Sequence, residues 1–270
     1  DLDSSDPDVL SMRNTMGKVH LFREAFDEAD TLFNQNLEAA TRADDPVNQA
    51  KAVINLGVVE LQRGSPDQAL SKFEVARQLC ERSGDLASLS ISLENLAVLH
   101  HRRQAFSEAL SFYHQSTAAS RRLGLLRQLT TSALNLADLY LVVGDLERAR
   151  RLAEIAREYI QRGNLRILEA QSVMLDGDLA RAEGEHERAA THYAAAIEQI
   201  ERGEQTNQRI GYLLWSMAEL YLEQNEAKTA QKYVDQVLEF KAAASESLAV
   251  RLRLTQGGIY IANEETAKAI

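Results

Sequence analysis

An alanine register runs through this chain and constrains its fold more than any other feature. Alanine recurs at steps of 40 residues, with one step of 41 and one of 39: Ala29, Ala69, Ala109, Ala149, Ala189, Ala230 and Ala269. Twelve residues before each stands another small residue: Gly17, Gly57, Ala97, Ala137, Gly177, Ala218 and Gly257. Self-similarity at a fixed period is typical of repeat proteins, in which one structural unit is copied along the chain. The register therefore predicts an array of stacked units.

Each unit reads as two helices. A polar break lies between the two small positions in most units, as in Val143-Gly144-Asp145. Glycine supplies a left-handed helix end, and the polar residue after it starts the next helix. A bulky residue follows most of the repeated alanines by four positions: Phe33, Phe73, Tyr113, Tyr193 and Val234. Small against large residues is the pattern of two closely crossing helices, so each unit is predicted to be an antiparallel hairpin.

Composition and charge narrow the class of protein. With 45% hydrophobic residues, 6% aromatics and 3 prolines, the chain fits a helical protein better than a sandwich or barrel. A formal net charge of -10 argues against a nucleic-acid groove. The single cysteine, Cys80, excludes an internal disulfide and favours a cytoplasmic setting. We expect no membrane partner either, because the sequence shows no targeting segment and no long apolar run.

Three segments carry a family resemblance: NLGVVELQRGSPDQALSKFEVA from Asn55, NLAVLHHRRQAFSEALSFYHQS from Asn95 and NLADLYLVVGDLERARRLAEIA from Asn135. They resemble tetratricopeptide repeats, which place a small residue in a first helix (helix A) and an alanine in a second (helix B). The longer period and missing closing proline resemble the branch found in kinesin light chains, Pins-type scaffolds and sensor domains of bacterial regulators. The resemblance implies an all-α fold, a right-handed α-solenoid (superhelix) of helical hairpins.

The register also sets expected boundaries. We predict an acidic N-terminal tail over residues 1–8 and a tetratricopeptide array over 9–270. Six complete hairpins are expected, followed by a truncated seventh over 244–270: 9–44, 45–84, 85–124, 125–163, 164–203 and 204–243. Because a solenoid that stops within a hairpin exposes an apolar edge, we expect the sequence to be a fragment of a longer protein.

No residue constellation indicates chemistry. His186-Glu187 begins like a zinc-protease helix, but Ala190 stands where the second histidine is required. His186 and His192 lie nearly opposite each other on a helix and could not share a metal without a third element. Cys80 is interpreted as a packed small residue rather than a reactive thiol. We therefore predict no enzymatic activity, no cofactor and no metal.

The resemblance orients the search for a partner site, because helix A lines the concave face in this family. Asn55, Asn95 and Asn135, here called the asparagine row, each stand two residues before a small position. In the family such an asparagine often binds the main chain of an extended peptide, since an amide donates and accepts at once. The alternative is that the three amides bond a neighbouring hairpin's backbone. Apolar Ile54, Val58 and Val98 and acidic Asp138 complete this predicted site.

Two further surfaces are candidates. The segment from Leu99 to Arg127 contains five arginines and a single acidic residue, Glu108. Arg102 is expected to point into the groove. Such a patch would steer an acidic partner, unless it is a solvated helix face. Tyr212 and Trp215 share a face of the sixth unit and form an anchor pair, unless Trp215 belongs to the core.

The function predicted from sequence is a non-catalytic scaffold that binds a partner peptide or protein segment in its concave groove. The partner segment is expected to be acidic or to carry apolar anchors. Two alternatives stay open: an effector-sensing regulatory domain of a bacterial signalling or transcription regulator, and a self-assembly module that docks through the truncated C-terminal hairpin.

Overall fold

The computed structural model describes residues 6–202, 207–239 and 246–269. Within these ranges the chain forms thirteen α-helices and a 3₁₀ turn (Arg166–Leu168), without a strand. The A helices are α1 (Pro7–Phe22), α3 (Pro46–Gln62), α5 (Leu86–Arg102), α7 (Leu126–Val142), α9 (Glu169–Ala182), α11 (Asn207–Glu223) and α13 (Glu246–Ala269). The B helices are α2 (Phe26–Arg42), α4 (Pro66–Ser83), α6 (Phe106–Leu123), α8 (Leu146–Gly163), α10 (His186–Arg202) and α12 (Ala227–Glu239). The predicted all-α solenoid of helical hairpins is confirmed.

The chain divides into two compact units, Asp1–Ser132 and Ala133–Ile270, with the division inside α7. In the first unit, α1 packs on α2, α3 on α4 and α5 on α6, and each A helix also contacts the next one. In the second unit, α9 packs on α10 and α11 on α12, and α13 contacts both α11 and α12. In each unit a B helix therefore packs between its own A helix and the next.

The turns show why the 40-residue period is preserved. Every A-to-B turn from α1 to α12 holds one residue in the left-handed region, at φ between 60° and 81°: Glu24, Gly64, Gln104, Gly144, Gly184 and Asn225. Glycine takes this conformation without steric cost, which confirms the predicted helix ends at Gly64, Gly144 and Gly184. The next helix then begins with a cap in several units; the carboxylate of Asp145, for example, accepts the backbone N–H of Arg148.

The small positions of helix A lie under large rings of helix B. A Cβ built on Gly17 would meet Phe33 Cε1 at 2.5 Å, and one on Gly57 would meet Phe73 Cε1 at 2.6 Å. Both rings are fully buried. The repeated alanines of the six described B helices are also fully buried: Ala29, Ala69, Ala109, Ala149, Ala189 and Ala230. The predicted packing of small against large residues is therefore confirmed.

Both ends of the described array differ from the sequence expectation. Helix α1 begins at Pro7, inside the predicted tail, because Asp6 caps it and Pro7 occupies the first turn. At the other end, α13 continues without a break to Ala269, where the register predicts a turn and a second helix. The ten residues from Ile259 to Lys268 contain neither glycine nor proline, so nothing there ends the helix.

Candidate partner-binding site

The first unit holds two members of the asparagine row on neighbouring A helices. Asn55 of α3 is half-buried, and its Nδ2 donates to Asn14 Oδ1 of α1 at 2.5 Å. Asn95 of α5 is also half-buried, and its Nδ2 donates to the carbonyl of Ile91 in its own helix at 2.9 Å. Neither amide bonds the backbone of a neighbouring hairpin among the described residues. Both keep their Oδ1 and one N–H for a further partner.

The third member, Asn135, belongs to the second unit. It is half-buried, and its Oδ1 accepts from Gln171 Nε2 at 3.5 Å. Asp138, one helical turn further along α7, is exposed. Its negative charge contributes to the raised pKa of Asp178 of α9.

The apolar candidates divide between surface and core. Val58 and Val98 are half-buried, each one residue after a small position of helix A. Ile54 is only 6% exposed and packs in a core cluster with Phe73 and Leu96, so its predicted place in the binding surface is wrong. The reason is helical geometry: Ile54 lies three residues before Gly57 and therefore faces helix B together with it.

The predicted arginine patch is partly neutralised. Arg103 pairs with Asp67 of the preceding B helix. Arg102 is exposed at the end of α5 and makes no ion pair within the described ranges. Arg121, Arg122 and Arg127 are likewise exposed. A cationic surface remains, and Arg102 is its member nearest in sequence to Val98.

Trp215 is held by contacts within the second unit. Its Nε1 donates to Thr255 Oγ1 of α13 at 2.9 Å, and the guanidinium of Arg251 lies 4.8 Å from the ring centroid. Tyr212, one turn earlier on α11, is half-buried and packs against the same core. The structure thus places Trp215 in the packing of α11 on α13 and Tyr212 against the core of the unit, and leaves only part of each ring accessible to a partner.

A network of charged and polar side chains on α9, α10 and α11 was not predicted from the sequence. Tyr193 of α10 donates its hydroxyl to Asp178 Oδ1 at 2.7 Å. Burial raises the pKa of Asp178 to about 7, and the charge of Asp138 acts in the same direction. Arg181, one turn along α9, binds Glu223 of α11 through two nitrogens. These contacts link α9 to α10 and to α11, and they include an acidic group whose pKa lies near neutral.

Cys80 lies in the core. Cys80 is fully buried, and burial raises the pKa of its thiol to about 11, which removes the thiolate needed for reactivity at neutral pH. Among the described residues, His, Cys, Asp and Glu nowhere cluster in a way that could hold a metal ion. In those same ranges, every helix is too short or too polar to cross a bilayer.

Comparisons with known proteins support the helical-hairpin repeat described above. Two family models, each described as a tetratricopeptide repeat, match residues 8–82 and 48–122 and residues 131–154. A search of curated protein sequences found no significant match.

Several solved structures share the fold at low identity. BtubC (BKLC) from P. vanneervenii is 21% identical with a TM-score of 0.60, over 81% of this chain and 92% of that one. NprR in complex with its cognate peptide NprX is 14% identical with a TM-score of 0.70, over 95% of this chain and 72% of that one. Aspartyl phosphate phosphatase F from Bacillus subtilis is 12% identical with a TM-score of 0.72, over 86% of this chain but 59% of that one.

Proposed function

Because this chain belongs to the tetratricopeptide repeat family, we propose that it is a non-catalytic protein-interaction scaffold. It binds an extended partner segment across the A helices of its first unit, and Asn55 and Asn95 of the asparagine row supply the contacts to the partner's main chain. A cytoplasmic setting, expected from the cysteine usage, is part of this proposal.

The observation that carries the proposal is the unused hydrogen-bonding capacity of Asn55 and Asn95. They hold the same position on α3 and α5, which contact each other, and each retains an acceptor oxygen and an N–H donor. Packed helix axes lie about 8–10 Å apart, and an extended peptide advances about 3.3 Å per residue. Successive amides therefore match a peptide at about every third residue, so the contacts follow its backbone rather than particular side chains.

Apolar and charged neighbours of the row add selectivity. Val58 and Val98 are half-buried beside Asn55 and Asn95, so an apolar partner side chain can cover what remains exposed. Arg102 is one turn beyond Val98 and free of ion pairs within the described ranges, which favours an acidic residue at that point of the partner. Such a segment combines an apolar anchor with a carboxylate.

The likeness to NprR bound to its cognate peptide supports this reading, since that protein holds a peptide on the same fold. NprR from B. thuringiensis is described as a quorum sensor, and the sensor alternative for this chain follows from the same likeness. A thermal-shift screen separates the two functions: stabilisation by a small metabolite supports the sensor, and stabilisation by peptides alone supports the scaffold.

The proposal is tested by selecting ligands from a random peptide library and mapping the bound peptide by hydrogen exchange. The expected result is protection of side-chain and backbone amides in α3 and α5, with no change in α4 and α6. Protection confined to the B helices would overturn the proposal, because the partner would then lie on the opposite face.

Self-assembly is a second candidate, favoured by a stripe on α13. Val250, Leu254 and Ile261 are 48%, 73% and 59% exposed, and exposed Gly257 lies between them at helical spacing. Such a stripe can pack closely on a second helix. Light scattering of the wild type and of Leu254→Glu measures this: a dimer that the substitution dissociates supports it, and a concentration-independent monomer excludes it.

A further inference from the structure

A polar pocket opens between α1 and α3 in the first unit, above residue Asn36 of α2. Its volume is about 260 Å³. The polar side chains that line it are Ser11, Asn14, Asn36, Asn48 and Lys51. A single bound water needs only about 10–15 Å³, whereas pockets for whole small molecules begin at about 300 Å³. The pocket is therefore far larger than one water and lies at the lower end of the small-molecule range, and it has the size for one side chain of a partner.

Asn36 at the floor of the pocket has an unmet hydrogen-bonding requirement. The residue is only 6% exposed, and its Nδ2 donates to the carbonyl of Leu10 at 2.9 Å. That bond fixes the orientation of the amide, and the oxygen Oδ1 is then the side-chain atom that still needs a hydrogen-bond donor. Oδ1 is buried and has no partner among the described residues. A buried acceptor without a donor is costly, so the floor of the pocket calls for an N–H from a ligand.

The other amides in the pocket are also oriented by their neighbours. Asn14 accepts from Asn55 through Oδ1, which leaves its Nδ2 as a donor. Asn48 donates from Nδ2 to Asp45 Oδ2 at 2.5 Å, which leaves its Oδ1 as an acceptor. Lys51 is exposed at the rim. The pocket thus offers acceptors and donors side by side, with its one charge at the edge.

This arrangement discriminates between ligand groups. A carboxylate would set its lone pairs against Asn36 Oδ1, and repulsion would follow. An ammonium group would find no carboxylate among the lining side chains to balance its charge. A carboxamide supplies an N–H to Asn36 and a carbonyl to Asn14 at once, without carrying a charge into the pocket.

We propose that this pocket holds the side-chain carboxamide of a glutamine or asparagine in the partner segment, donating to Asn36 Oδ1 and accepting from Asn14 Nδ2. The inference rests on the proposed function in that the partner lies on the A helices. It adds the chemistry of one anchor, and it gives Asn55 a second role, because Asn55 orients the Asn14 amide toward this anchor.

The probes for a test are N-acetyl-glutamine methylamide and its isostere N-acetyl-glutamate methylamide, titrated into the ¹⁵N-labelled protein at neutral pH. The side-chain amide signals of Asn14 and Asn36 report on binding. The glutamine probe is expected to shift both signals, and the glutamate probe to bind about tenfold more weakly, because the site rejects a ligand that leaves Asn36 unpaired. Equal affinity of the two probes, or no shift with either, would overturn the assignment and leave the pocket to solvent.

A matched pair of variants keeps the test local. Ser11→Trp fills the pocket from its exposed rim and should abolish the glutamine-dependent shifts. Met16→Trp adds the same side chain on the opposite side of α1, where Met16 is exposed and outside the pocket lining, and should leave them intact. Loss in both variants, or in neither, contradicts the proposed position. If Asn95→Ala abolishes binding of a longer peptide but not of the glutamine probe, this anchor acts independently of the asparagine row. The two proposals can therefore fail independently.

Discussion

Two glycines at equivalent positions of the second unit should respond to alanine in opposite directions. Gly177 of α9 lies under Tyr193, and a Cβ there would sit 2.6 Å from Cε1 and 2.7 Å from Cδ1 of the ring. Gly257 of α13 holds the same repeat position, yet a Cβ there meets nothing within 4 Å. The pair therefore isolates the contribution of the ring contact.

The magnitudes follow from these distances. Carbon atoms attract best at about 3.5–4.0 Å, so the Tyr193 ring must move by about 1 Å to admit the methyl group. The ring is fully buried and its hydroxyl bonds Asp178 at 2.7 Å, so movement both strains the core and stretches that bond. Overpacking of this kind costs about 1–3 kcal/mol and a hydrogen bond about 1 kcal/mol, against a gain in helix propensity of about 1 kcal/mol. We expect Gly177→Ala to destabilise by about 2 kcal/mol and Gly257→Ala to stabilise by about 1 kcal/mol.

Urea unfolding measures the difference. The single tryptophan, Trp215, lies in the same unit and reports on it by fluorescence, while far-UV circular dichroism reports on the whole chain. Coincident transitions would justify a two-state free energy, which long repeat arrays do not always obey. In the double variant Gly177→Ala with Tyr193→Leu, the penalty should shrink by at least about 1 kcal/mol. If Gly177→Ala stabilises as much as Gly257→Ala does, the small positions are not sites of close helix contact.

Three further predictions concern stability. Asp178→Asn should raise the melting temperature at pH 8 but not at pH 4. Because the pKa of Asp178 is raised in the folded protein, wild-type stability falls as pH rises from about 4 to about 7. Asparagine carries no such charge and can still accept the hydrogen bond from Tyr193. Gln104→Gly should raise the free energy of unfolding by about 0.5–1 kcal/mol, since Gln104 has a φ of 60° that glycine adopts freely. Ala149→Leu should lower it by a few kcal/mol, because Ala149 is fully buried; a neutral melting result would show that the register is misassigned.

The hairpins could be predicted from sequence because each rests on short-range rules. Gly64 and Gly144 mark helix ends by their own conformational freedom, and Gly57 with Phe73 marks a crossing by size alone. Gln104 and Glu24 occupy the same left-handed position with no such signal. Only the period of 40 residues locates those turns, since neither residue type favours that conformation.

The site was less accessible to sequence reasoning, because it depends on which face of a helix a residue occupies. The asparagine row was found from its spacing, and its role in binding remains a prediction. Ile54 was misplaced because one step along a helix turns a side chain by about 100°, enough to move it from groove to core. Asn36 gave no signal at all: its meaning depends on Leu10, 26 residues earlier, and on a pocket formed by three helices.

The central claim is tested most directly by the affinity of a library-selected peptide for the double variant Asn55→Ala with Asn95→Ala, compared with wild type by isothermal titration calorimetry. Circular dichroism must first show unchanged helicity. Each lost amide contact is worth about 1 kcal/mol, so the affinity is predicted to fall by about thirtyfold. Unchanged affinity in a fully helical variant would contradict the account, because the peptide would then bind without Asn55 and Asn95.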